Sequence, residues 1–342
     1  MNYFAGANSR YGFKSVFESV FSECRRFFII KGSSGCGKST LMQKIAKRAE
    51  ALGYGVDYIY CSADSLSLDG IIIPALGVAV ADGTAPHIMD VKYPCVRESI
   101  INLGQFWNEK LLLPRGDEII GLTNLKACHY KNAYKALSAA GNIAELLIEI
   151  NGKCIKQKKL DSFVFKLYEK LKGQKGVIKH CFATAFTYNG LEDVCVFDNL
   201  SALYTVNGGC GLQLVTAVAQ LSRELGDEAV IFCHPINTEL AQAVYFPKTK
   251  TALSVSGLKL CKKATESHNI SCQRFYEKQE LALVKNRISG LTSLYESLAA
   301  EAQSELFEAR KTHNEIEEIY IKAMDFESLN LYSEKLINQI LG

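Results

Sequence analysis

The 342-residue chain has no long apolar run, no surplus of one charge and no closely paired cysteines, and each absence removes a class of function. Its most apolar stretch, Ile71 to Ala81, is interrupted by Pro74 and Gly77. It is far shorter than the roughly 20 residues of a membrane helix, so no span is expected. The opening MNYFAGANSRYGF has no basic segment leading into an apolar core and does not read as a secretory signal, which leaves a cytoplasmic location as the expectation. With 39 basic and 36 acidic residues the net charge is only +3, so nucleic acid is not indicated as a partner. Twelve cysteines lie between Cys24 and Cys272 without the CxxC spacing that presents two thiolates to zinc, so reduced, mostly buried thiols are expected. Cys36 is the exception to watch, because a helix N-terminus lowers a thiol pKa while bound phosphate would oppose the thiolate.

What is present begins with a phosphate loop. RFFII at Arg26 to Ile30 is an apolar, β-favouring run, GSSGCGKST follows, and LMQKIAKRAEALG carries helical spacing. The residues Gly32, Ser33, Ser34, Gly35, Cys36, Gly37, Lys38 and Ser39, with Thr40 behind them, fit GxxxxGK[ST] in full. Glycines let the backbone turn tightly enough for its N–H groups to converge on phosphate oxygens. Lys38 would neutralise the β and γ phosphates, and Ser39 would ligate Mg2+ at the N-terminus of the following helix.

Strands are expected at Val56 to Cys61 and at Leu76 to Ala81, the latter ending at Asp82. An acid at a strand's C-terminal edge beside the loop is placed to hold Mg2+ with Ser39. Asp-Gly is also common turn chemistry, so both readings of Asp82 stand. Asp64, Asp69 and His87 fall on expected loops at the same sheet edge, and Asp69 or Asp64 is the preferred residue to position an attacking water. Arg97 and Arg10 are further sources of positive charge, or surface ion pairs.

The chain also repeats itself. FAGANSRYGF (Phe4 to Phe13) returns as FATAFTYNGL (Phe182 to Leu191), a displacement of 178, and FFIIKG returns as LYTVNG ending at Gly208, a displacement of 176. YIYCS with Cys61 matches VIFCH with Cys233, Pro74 matches Pro247, and the helical text around Tyr134 resembles that around Tyr320. The second loop keeps Gly208, Gly209 and Gly211 but is shorter, with Leu212 and Gln213 where lysine and serine would stand. No acid follows ALSVSG, so the second copy is expected to bind triphosphate poorly and to be structural or regulatory. The division expected is 1–172 for the intact copy with a helical extension, and 173–342 for the degenerate copy with C-terminal helices. Those last helices form a long amphipathic segment that would pair within the molecule, with a second copy or with a protein partner.

The motifs FAGANSRYGF, IIKGSSGCGKSTLM, SLDGIIIPALGVAVADGTAPH and FATAFT resemble a bacterial family of tandem P-loop proteins regarded as ATPases or nucleotide-binding proteins. The likeness covers most of the chain. It implies an α/β fold of two tandem P-loop NTPase-like parallel-sheet domains flanked by helices. The second half of such proteins can carry its own phosphate loop, and this chain departs there at Leu212 and Gln213. The combined expectation is a Mg-dependent ATPase acting as a nucleotide-dependent switch, with ATP and Mg2+ as ligands. A small-molecule kinase with Asp64 or Asp69 as base, and a non-catalytic nucleotide sensor, are the alternatives. ATP is favoured by elimination, since TNLK at Thr123 to Lys126 does not match guanine-reading NKxD.

Overall fold

The computed structural model describes residues 1–342. The first half runs β1 (Asn2–Phe4), β2 (Gly6–Ser9), β3 (Gly12–Ser15), α1 (Phe17–Phe21), β4 (Arg26–Lys31), α2 (Lys38–Ala51), β5 (Asp57–Tyr60), β6 (Leu68–Ile73), β7 (Val78–Asp82), β8 (Glu98–Asn102), α3 (Glu109–Leu112), α4 (Gly116–Lys153) and α5 (Gln157–Leu171). The second runs β9 (Ile178–Cys181), β10 (Thr184–Thr187), β11 (Gly190–Asp193), β12 (Phe197–Asn207), α6 (Gly211–Leu225), β13 (Ala229–Cys233), β14 (Ala241–Phe246), β15 (Thr251–Val255), β16 (Cys261–Ser271), α7 (Lys278–Lys322) and α8 (Phe326–Leu341).

Each half builds one six-stranded sheet, in the orders β1-β5-β6-β7-β4-β8 and β9-β13-β14-β15-β12-β16, which correspond strand for strand. The sheets are mixed rather than parallel: β6 runs antiparallel to β5 and β7, and β14 antiparallel to β13 and β15. The apolar stretch Ile71 to Ala81 contains the reason. Pro74 opens a single 3-10 turn at Pro74–Leu76 and Gly77 follows in the left-handed region, so the chain doubles back as a hairpin of two strands. Even the irregularities repeat, with a register shift at Ile59/Tyr60 in one sheet and at Phe232/Cys233 in the other. That register makes Cys233 the counterpart of Tyr60, not of Cys61, a displacement of 173 instead of 172.

Central strands are apolar over most of their length because both their faces are covered, with Asp69 in β6 and Gln242 in β14 as polar exceptions. In β4, Phe27 and Ile29 enter a core that also holds Val230, Phe232 and Ala243, so it is shared by both sheets. Phe28 and Ile30 point the other way, toward α2. This period-two division places the two sheets around a common interior with helices outside.

The outer helices are exchanged. Leu329, Leu336 and Ile337 of α8, at the chain's C-terminal end, join the core of the first half's sheet. Leu160, Val164 and Leu167 of α5, from the first half, join the core built on α6 and the second sheet. Bridges Trp107 to Met324 and Tyr276 to Ile155 hold the two crossovers, displaced by 169 residues from one another. Tyr134 and Tyr320 are therefore not equivalent. The long helices α4 and α7 pack along each other, tied by His129 Nδ1 and Glu305 at 2.7 Å, so the amphipathic C-terminal segment finds its partner within the molecule. No helix is long and apolar enough to cross a membrane.

Candidate functional site

The loop from Gly32 to Gly37 leaves the C-terminal end of β4 and enters α2 at Lys38. Gly35 and Gly37 adopt φ of 72° and 83°, where a side chain is strained, and Gly37 is the residue that caps α2. Gly32 lies so close to Cys36 that an added Cβ would sit 2.5 Å from its Sγ, which shows how tightly the loop closes on itself. The backbone N–H groups of Ser33 to Gly37 make no well-aligned hydrogen bond to a protein oxygen. Successive free N–H groups at a helix N-terminus form a concave donor surface for an anion.

Lys38 stands over this surface. Its Nζ donates to the carbonyls of Gly32 at 3.0 Å and Ser33 at 2.8 Å, and lies 3.5 Å from Asp82 Oδ2. Asp82 ends β7, which pairs in parallel with β4 so that Asp82 is level with Ile30. Thr84 fixes the carboxylate by donating its N–H at 2.8 Å and its hydroxyl at 2.6 Å to Oδ1, leaving Oδ2 toward Lys38. Ser39 Oγ accepts the Leu68 N–H at 3.0 Å, so the first turn of α2 is tied to the start of β6. One hydroxyl and one oriented carboxylate oxygen are hard donors that suit Mg2+ sharing its sphere with phosphate oxygens and water. No group of three His, Cys, Asp or Glu side chains is arranged to hold a metal unaided.

Cys36 is fully buried beneath the loop. Burial pushes its thiol pKa up, and Lys38 opposes this only in part, so the position does not produce a reactive thiolate. All twelve cysteines are free.

The candidate acids are engaged. Asp69 is not on a loop: it is the second residue of β6 and is buried, with its Oδ2 3.0 Å from His87 Nε2. The contact is close but poorly aligned, since Asp69 Oδ2 makes no hydrogen bond, and it becomes an ion pair when His87 is protonated. His87 stacks on Phe17 at 4.5 Å and meets Phe13 edge-on. Burial works against its protonation, yet the Asp69 carboxylate, with Asp82 farther off, carries its pKa above the ordinary value. Asp64 follows β5 and pairs with Arg310 of α7, Oδ2 to Nη2 at 2.9 Å. Arg97 and Arg10 are not brought to the loop. Arg97 donates to carbonyls of Phe21 and Cys24, holding the end of α1, and Arg10 pairs with Glu145 on α4.

Residues that no local motif marks complete the site. Helix α7 lays Arg310, His313, Glu317 and Ile321 across the loop at helical spacing. His313 Nδ1 is 3.5 Å from Ser34 Oγ, and Gly35 abuts the Glu317 carbonyl and the Ile321 side chain. Burial, then Lys126 and Arg310, press the His313 pKa down to about 4, so its ring is neutral near pH 7. In the sequence these residues belong to the long amphipathic segment, and nothing sets them apart from the rest of it.

The second half lacks every charged part. Asp64, Asp69 and Asp82 fall in register with Asn237, Gln242 and Val255. Two residues separate Gly208 from α6, against five between Gly32 and α2. Gln242 accepts a hydrogen bond from Thr184 at 2.7 Å, a neutral counterpart of the Asp69 pair. A cavity of about 330 Å3 lies elsewhere, lined by Tyr3, Cys24, Asp57 and Lys179 among others, without the loop's donors. The chain matches no family model, no curated protein and no solved structure.

Proposed function

We propose that the protein binds Mg-ATP at the loop Gly32 to Thr40 and hydrolyses it, the bound state altering how the first half packs against the second. The observation that carries this reading is the run of free N–H groups from Ser33 to Gly37 beneath the Lys38 ammonium, at the start of α2. Such a run satisfies phosphate oxygens directionally, and the lysine and helix terminus add charge. Ser39 and Asp82 are the residues that would hold Mg2+, which would supply charge neutralisation on the β and γ oxygens. Lys38 would leave the loop carbonyls for those oxygens, while Thr84 keeps the Asp82 carboxylate aimed.

Mg-ATP binding and phosphate release by wild type beside Lys38→Ala, without any added acceptor, tests this directly. Loss of both in the variant is the expected result, and unchanged ATP affinity would remove the assignment.

One observation favours a second reading. Asp64 is paired with Arg310 and Asp69 lies against His87, an arrangement in which neither acid is free to activate water unless its partner moves. A non-catalytic nucleotide sensor would show tight Mg-ATP binding with negligible phosphate release.

A further inference from the structure

Helix α7 lies against the loop through His313, Glu317 and Ile321, and α4 packs along α7. The register of their pairing follows from His129 and Asn132, which both meet Glu305. Three residues before His129 stands Lys126, which this antiparallel register brings to the stretch of α7 holding Glu308 and Arg310. Lys126 makes neither an ion pair nor a hydrogen bond, although it is partly buried. Burial, with Lys38 adding to it, pushes its pKa below the ordinary lysine value, so a partly buried cation stands here with no anion assigned to it. Arg310 is held by Asp64, whose other oxygen accepts the Leu66 N–H at 3.1 Å. Its side chain keeps 29% of its exposure, enough freedom to exchange one oxyanion partner for another. His313, bonded toward Ser34, is neutral and anchors the same helix face to the loop.

The repeat supplies an independent observation. At the helical displacement of 169 set by the two crossover bridges, Lys126 corresponds to Tyr295 and Arg310 to Gly141. Asp64, the acid that holds Arg310, corresponds to Asn237. The helix positions that carry Lys126 and Arg310 hold no cation of their own in the second copy, where Arg10 packs on Gly141 instead and is taken by Glu145 and Asn142.

We infer that Lys126 and Arg310 form a roof that reads the terminal phosphate of a nucleoside triphosphate, Arg310 leaving Asp64 for the γ-phosphate when it is bound. This rests on the nucleotide reading above and deepens it. A diphosphate, cradled by the loop and Lys38, does not reach the roof, so Arg310 stays with Asp64. The helix that carries Arg310 continues into α8 on the first sheet, and α4 continues into α5 on the second, so the exchange is felt by both halves.

The test compares the affinity of a non-hydrolysable ATP analogue with that of ADP, both with Mg2+, for wild type, Lys38→Ala, Lys126→Met, Arg310→Met, Arg310→Lys and Asp64→Asn. Lys126→Met and Arg310→Met are expected to weaken the triphosphate about tenfold or more while ADP changes by less than about threefold, the size of one lost charge-assisted contact. Arg310→Lys keeps the charge without the fork and should fall between. Asp64→Asn releases Arg310 and should strengthen triphosphate binding, a gain that a damaged fold does not produce. Parallel weakening of both nucleotides, or unchanged affinities in the roof variants while Lys38→Ala abolishes both, would overturn the roof and leave the nucleotide site standing. Binding of neither nucleotide to wild type, or indifference to Lys38→Ala, would instead bring down the nucleotide reading and the roof with it.

Discussion

Phe4 donates its N–H to the Phe182 carbonyl at 2.8 Å, and Phe182 returns the bond to Phe4 at 2.9 Å. These are equivalent residues of the two repeats, so an approximate two-fold axis passes between them. Both rings are fully buried, in one core. Phe4→Ala should therefore cost about 3–5 kcal/mol, the range for emptying a buried aromatic site. A urea titration followed by fluorescence reads it as a lower midpoint. A loss below about 1 kcal/mol, in the range of surface substitutions, would mean that this junction is not part of the cooperative structure.

The exchanged helices predict where protection is lost. Leu336→Ala with Ile337→Ala in α8 should remove about 2–5 kcal/mol each and raise hydrogen exchange in α2, on the far half of the sequence. Val164→Ala with Leu167→Ala in α5 should do the same to α6. Faster exchange confined to the mutated half would contradict the exchange of helices.

The loop glycines predict a backbone effect. Gly35 has φ of 72°, and a Cβ there would sit 2.9 Å from the Glu317 carbonyl. Gly35→Ala should cost about 1–2 kcal/mol from conformation, with the contact to α7 adding to it. The variant should expose α7 near Glu317 to exchange. A stable variant with α7 undisturbed would show that the loop and α7 do not touch.

His87 predicts a pH dependence. Its folded pKa is raised, so the stability it contributes is complete below the unfolded value of about 6.5 and is lost as pH rises through the folded value. Asp69→Asn removes the carboxylate that carries it upward, and burial should then leave its pKa below the ordinary value. NMR titration of the His87 ring measures the change. A pKa that stays above the ordinary value in the variant would assign the perturbation to Asp82 or another group. Asp69 also faces Cys61, so the Cys61 thiol should titrate lower in the same variant.

The strand, loop and helix from Arg26 to Ala51 are legible in the sequence because strand apolarity, glycine positions and helical spacing agree over one short segment. The repeat is legible for the same reason, through FAGANSRYGF and FATAFTYNGL. Strand β6 is not, because Leu68 to Ile73 merges into the next apolar run and only Pro74 marks the fold-back. Strand β8 is short and half exposed, and its ESIIN text offers little periodicity. The sequence does not reveal which sheet an amphipathic helix covers, since α5 and α8 present the same kind of apolar face to either half. Asp69 and His87, and Asp64 and Arg310, are pairs made by the fold across distant positions, so residue type alone identifies neither partner.

The exchange of α5 and α8 also governs the order in which the molecule is completed on the ribosome. Half of the chain can emerge, pair its strands and form α2, yet the apolar face that awaits Leu329, Leu336 and Ile337 stays wet until α8 has been made. The glycine-rich loop lies at that unfinished face, since a Cβ on Gly37 would meet Leu329 at 3.3 Å. A nascent or truncated chain without α8 therefore carries every residue of the loop without the surface that shapes it.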